Sequence, residues 1–465
     1  MSPVAAVVWA RRRLRGLVQL VGLGLVTSLT GWAAVSLPLP YVGFIAVIPV
    51  LSVLRSSSLA TLGVLIVAYL GLVRRLLSPG RVDYDPLLIL PILLFLLAVL
   101  LSERGRGLRP RPVHIALLGL VVLPVLFQVF TGDYSVAALY AVGTQSFAFA
   151  LVLAAATGSA PNIWPRLYRA ALPVGLVAAL YGIAQFYLLP SWDARWMMAS
   201  KLASVGKPQP GLVRVFGMSE SPGPYALLVG AALVVTLVTA ITARTGERRL
   251  LYLAAGAPLV LALLLTGVRT ALVALVVATF YASARAGGRR GAVVLAATLA
   301  GVFGLLNQVL NLVATTDSSI LTSNRYSVST LGSDDSVQAR VALLDQVVTG
   351  LSHPLGVGAA IDGQVQSLDN AFIDILVRFG PIALFALVVV VIACARRIFM
   401  GPAGPPDVLA LKAVCLYFLV VTVAGNPLAG TTGLLVALTL GYLIGLPEAR
   451  LAAPLGSRAA REFPR

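Results

Sequence analysis

Three arginines in this chain stand where an apolar setting would ordinarily exclude them. Arg214 lies in GLVRVFGMSESPGPYALL, just ahead of an apolar run, with Gly217 and Pro222-Gly223-Pro224 shaping the approach. Arg269 lies in LLLTGVRTALVAL, where two apolar runs meet with only Thr266–Thr270 between them. Arg340 belongs to SVQARVALLDQVVTGLSHPLGVG. At a 3.6-residue period Val337, Val341, Leu344, Val347, Val348 and Leu351 share an arc of roughly 120°, and Arg340 projects from the middle of it. A solvated arginine belongs on the opposite face, so this one is expected to point where the helix docks. The planar guanidinium matches phosphate oxygens two at a time. Three of them near a lipid boundary suit a phosphate or pyrophosphate carried by a lipid. The alternative role is anchoring at the headgroups, with the aliphatic stem in lipid and the charge outside it.

Acids and bases are few. Asp369-Asn370 opens the apolar run that follows the Arg340 stretch. A carboxylate there could orient or deprotonate a hydroxyl, and Asp and Asn are equally good helix N-caps; both roles are open. Glu220, beside Pro222, is a second candidate base. Asp374 and Arg378 follow Asn370 at four-residue steps, so the three share one helix face, and the charged pair is expected to neutralise itself inside a bundle. His353 precedes Pro354 in a tight turn and is a candidate substrate contact. Asp334-Asp335 could hold a divalent cation, but carboxylates at the start of an amphipathic helix also favour its dipole, and that reading is preferred. The two cysteines, Cys394 and Cys415, form neither a CxxC nor a metal-ligand spacing. No metal and no cofactor is expected.

The elements that position these residues are apolar helices. The 465 residues are 59% hydrophobic and only 11% charged, with a mean hydropathy of +0.94. Soluble domains carry about 25% charged residues, so the fold class expected is all-α: a polytopic transmembrane bundle of about 12–14 spans of roughly 20 residues each. The spans are placed at 17–37, 39–54, 57–73, 86–102, 113–131, 134–157 and 168–190, then 222–243, 249–267, 270–285, 291–314, 370–394, 408–425 and 429–446. The net charge of +18 does not argue for nucleic acid, because the basic residues sit in short clusters between apolar runs: Arg11–Arg15, Arg104–Arg111, Arg244–Arg249, Arg285–Arg290 and Arg396-Arg397. That is the positive-inside pattern. It predicts cytoplasmic termini, a basic tail at 447–465, and two large loops outside, 191–221 and 315–369, the larger containing the amphipathic helix. Arg74-Arg75 break the rule. Trp192 and Trp196 in the first loop suit an interfacial belt.

The order of motifs carries a resemblance. An outer loop ending RVFGMSESPGPYA, a span ending LLLTGVRTALVAL, then QARVALLDQVVTGLSHPLGVG and LDNAFIDILVRFGPIALF is similar to the O-antigen ligase and Wzy-type O-antigen polymerase superfamily of bacterial membrane glycosyltransferases, over roughly Arg214 to Phe385. The resemblance implies a GT-C-like helical fold in the cytoplasmic (inner) membrane with its active site facing the periplasm. It implies transfer of a glycan from an undecaprenyl-pyrophosphate carrier to an acceptor hydroxyl, without metal or nucleotide sugar. It implies that Arg214 and Arg269 engage the donor pyrophosphate, that Arg340 matches the arginine starting the loop helix, and that Pro354–Gly358 matches the family turn. Family ligases carry a His-Asn pair where this chain has Asp369-Asn370. The expectation is therefore an inverting glycan polymerase, with Asp369 and Glu220 as candidate catalytic groups and Arg214, Arg269, Arg340, Asn370 and His353 as candidate substrate contacts. The alternatives are a ligase that transfers finished glycan to a lipid acceptor, and a transporter of lipid-linked oligosaccharide. Polar residues are sparse in the first half, with little beyond Gln128, Gln145 and Gln185 in the spans, which disfavours transport. The expected partners are the lipid-linked donor, a glycan or lipid acceptor, membrane lipids and a chain-length regulator protein, and no nucleic acid.

Overall fold

A computed structural model describes residues 55–77, 86–102, 111–131, 136–200, 205–286, 288–314, 347, 348, 350–357, 370–423 and 425–448. Its regular elements are helices: α1 Ser56–Leu77, α2 Leu90–Leu100, α3 Pro112–Thr131, α4 Val136–Ala156, α5 Trp164–Leu188, α6 Ser191–Ser200, α7 Pro222–Thr242, α8 Gly246–Leu265, α9 Arg269–Ala286, α10 Gly288–Ala314, α11 Ala371–Phe399, α12 Pro406–Thr422 and α13 Thr432–Gly445. Six of them, α1, α3, α5, α7, α8 and α11, are long and apolar enough to cross a membrane. A backbone in hydrocarbon must satisfy its own N–H and C=O groups, which helices do. The expected spans 17–37 and 39–54 lie outside the described residues. The expected spans at 86–102 and 429–446 contain shorter apolar helices, α2 and α13.

The bundle is organised around α7, whose apolar window is the most enclosed of the six. α5, α8, α9 and α12 pack on it. Small residues set the approach distances: a Cβ on Gly175 would lie 2.6 Å from that of Ala232, and one on Gly230 would meet the Tyr417 ring. The Tyr417 hydroxyl donates to Ala226 O at 2.8 Å, so the buried phenol is satisfied.

α11 begins at Asn370. Its side-chain oxygen accepts from the Phe372 and Ile373 amides, and its Nδ2 donates to Val423 O at the end of α12. The capping role weighed for Asn370 is therefore realised in the fold. Asp374 and Arg378 pair at 2.7 Å, both buried, and Asn426 Nδ2 donates to the other Asp374 oxygen at 3.0 Å. α11 then breaks at Gly380, φ 78° and ψ 177°, ahead of Pro381. Proline has no N–H, so Val377 O loses its partner four residues on. The turn after His353 supplies a replacement: Val357 N donates to Val377 O at 2.8 Å. Gly356, φ 82°, lies so close that a Cβ would fall 2.3 Å from Arg378 O, and a Cβ on Gly380 would fall 2.2 Å from Pro354 O. Two backbones in contact leave room only for glycine at both positions.

One expectation for the amphipathic stretch is corrected. Val348 and Leu351, assigned to the docking face, are exposed. Gly350 is buried and packs on Leu376 and Val377, where a Cβ would fall 2.9 Å from the Leu376 side chain.

Candidate functional site

The loop expected at 191–221 is not an open loop. Its first part is α6, and residues 205–221 fold over the ends of α1, α5 and α8. Gly206 and Val213 form a bridge, Arg214 N donates to Val205 O at 2.9 Å, and Val215 N donates to Leu265 O at 3.1 Å. The last carbonyls of a helix have no partner within it, so the 214–215 segment caps α8 from outside. Arg214 Nε donates to Thr266 O at 3.1 Å, placing a cation at the negative end of α8. Gly267, φ 65°, lies beneath that side chain; a Cβ there would be 3.3 Å from Arg214 Nε. Arg269, the first residue of α9, is two positions further on. The structure thus brings the Arg214 motif onto the turn that carries Arg269.

The anchor of this loop is a buried polar network that sequence reasoning missed. Arg75, in the last turn of α1, and Asp193, in the first turn of α6, are fully buried and paired at 2.6 Å between Nε and Oδ1. Asp193 Oδ2 accepts from Tyr181 at 2.8 Å and from Gln185 Nε2 at 2.7 Å. Gln185 Oε1 accepts from the Phe216 and Gly217 amides at 3.0 and 2.8 Å. Arg75 also donates to the carbonyls of Gly217 and Ser219 and lies 4.8 Å from the Phe216 ring centroid, where a cation is attracted by the ring face. Through Arg75 and Gln185 the network reaches the segment 216–219. Trp196, placed at the interface by sequence, instead packs against Phe216 at 5.4 Å between ring centroids, in a small core with Leu189, Met197, Val205 and Val213. The signals were present: Arg74-Arg75 against the charge rule, Asp193 across the same loop, and Gln185 as a rare polar residue in its span.

Glu220 forms an ion pair with Arg74. Arg74 is buried and Glu220 half-exposed, so the carboxylate neutralises a cation at the end of α1. Asn370 sits in a different local assembly, with Asp374, Arg378 and Asn426. His353 is exposed; its Nδ1 lies 3.1 Å from Ser352 Oγ, and its carbonyl accepts from Gly356 N. Arg340, Asp369 and Asp334-Asp335 lie outside the described residues. Among the described residues there is no cluster of three or more histidine, cysteine, aspartate or glutamate side chains that could hold a metal ion.

The arrangement defines a helical membrane bundle with a cation-rich, polar-braced end. No protein-family model matches the chain, and no curated protein matches it.

Proposed function

We propose that the protein is a membrane glycosyltransferase: a glycan polymerase that takes oligosaccharide from undecaprenyl pyrophosphate at the outer face of the cytoplasmic membrane. The observation that carries this reading is the Arg214 side chain lying over Gly267 and bonded to Thr266 O, which pairs the two arginine motifs around one turn. Guanidinium groups fixed at that turn would hold the pyrophosphate and stabilise the charge that grows on it as it leaves. Arg340 would complete the set. The acceptor oxygen attacks the anomeric carbon, the bond from that carbon to the pyrophosphate oxygen breaks, and configuration inverts. The hydroxyl proton passes to Asp369, since Glu220 is engaged by Arg74. A GT-C-like fold and a periplasmic site belong to this reading.

The test is incubation of the purified protein with lipid-pyrophosphate oligosaccharide, following released carrier and product length. Released undecaprenyl pyrophosphate with products longer than one repeat is expected. A single transfer to a lipid acceptor would make the protein a ligase. Intact donor moving across a vesicle without carrier release would make it a transporter.

A further inference from the structure

A second feature lies away from the arginine turn. α1 stands apart from α5 and α7, and between these helices, α12 and α13 there is a slot of about 320 Å³. Val64, Val174, Leu228, Ala231 and Phe418 typify its walls. On α5 the lining runs from Trp164 to Ala178, a rise of about 21 Å at 1.5 Å per residue. One leaflet of hydrocarbon is about 15 Å thick, half of the core, so the slot is deep enough to take an acyl chain of one leaflet along its whole length.

The polar groups on its walls are already satisfied by protein. Thr61 Oγ1 donates to Ser57 O, Thr439 Oγ1 to Leu435 O, Tyr225 Oη to Ala178 O and Trp164 Nε1 to Asp407 O, at 2.7 to 2.8 Å. A water in the slot would lack the two to four partners it needs, and a polar ligand would find nothing to bind. The occupant is therefore aliphatic. The one charged lining residue is Arg166. It is exposed, in the first turn of α5, at the end of that helix remote from Gln185 and the 214–221 segment. Its guanidinium has no hydrogen bond or ion pair among the described residues. An unpaired cation at the rim of a dry slot complements an anionic headgroup.

We propose that this slot binds an anionic phospholipid from the leaflet opposite the 214–221 segment, with one acyl chain inside and the headgroup phosphate on Arg166. A donor whose pyrophosphate lay at Arg214 and Arg269 would enter from the other leaflet, so the inference does not depend on the glycosyltransferase reading. The experiment is native mass spectrometry of the full chain released from nanodiscs holding equal phosphatidylglycerol and phosphatidylcholine. The wild type should retain one phospholipid, with phosphatidylglycerol enriched severalfold. Ala171→Trp fills the slot and should lower retention about tenfold. Arg166→Gln, an exposed change that leaves the helix intact, should keep a lipid but erase the headgroup preference. The proposal is overturned by a wild type that retains no phospholipid, by an unchanged preference in Arg166→Gln, or by full retention in folded Ala171→Trp. Retention of a polyprenyl pyrophosphate in place of the phospholipid would overturn it equally. If Ala171→Trp does not fold, the Arg166→Gln preference decides.

Discussion

Replacing Arg75 by methionine removes the cation of a fully buried pair while keeping most of the side chain's bulk. Asp193 is left charged in the interior, retaining only the Tyr181 and Gln185 donors, and the carbonyls of Gly217 and Ser219 lose their partner. Breaking a buried pair by removing one member costs about 3–5 kcal/mol. Because Asp193 keeps two hydrogen bonds, the lower end, about 3 kcal/mol, is expected. At about 2 °C per kcal/mol for a chain of this size, the melting temperature should fall by about 6 °C. The chain supplies its own reporter: Cys394 and Cys415 are its two cysteines and both are free and buried, so a thiol-reactive fluorophore responds only on unfolding. In Arg75→Met/Asp193→Asn the uncompensated charge is gone while acceptors remain for Tyr181 and Gln185. That double variant should recover at least half of the loss, a coupling that non-interacting sites would not show. A melting temperature for Arg75→Met within about 1 °C of wild type, or strictly additive losses, would refute the role given to this pair.

Gly356→Ala and Gly380→Ala should each lower the melting temperature markedly, since a Cβ would sit 2.3 and 2.2 Å from backbone oxygens at positive φ; Gly223→Ala, with open space around it, is the control, and three equal melts would remove the docked turn. Glu220→Gln should destabilise the protein by removing a counter-ion from the buried Arg74, and Arg74→Gln/Glu220→Gln should recover stability with transfer intact. Loss of transfer in the double variant at normal stability would return Glu220 to the chemistry. Arg269→Lys keeps the charge and loses the fork, so donor turnover should drop at least tenfold with an unchanged melt; wild-type turnover would reduce Arg269 to an anchor. Asp369→Asn should abolish chain growth while donor still binds, because the amide keeps the size and hydrogen bonding of the carboxylate but takes no proton; full activity would remove Asp369 from the chemistry.

What the sequence determined by itself is what neighbouring residues decide. Helix formation in an apolar medium follows from local hydropathy, because each helix closes its own hydrogen bonds, and the helical membrane class was readable for that reason. Asn370 as a cap and Asp374–Arg378 as a self-neutralising pair were readable too, since four-residue spacing on a helix fixes adjacency before any tertiary contact forms. The proximity of Arg214 to the Arg269 turn was suggested only by the order of motifs. The fold accounts for it through a carbonyl left over at the end of α8. Arg75 could not be understood from its surroundings in the chain, because a charge in the interior depends on a partner, and Asp193 arrives from another helix. Trp196 was misplaced for the same reason, since an interfacial tryptophan and a buried one have the same local sequence, and the Arg74 partner of Glu220 was invisible because a carboxylate is a base or a counter-ion according to what stands beside it. Pro381 shows both halves of the division. Its missing N–H is written in the sequence, but only the tertiary structure decided that Val357, from a turn that precedes α11 in the chain, would answer the carbonyl of Val377.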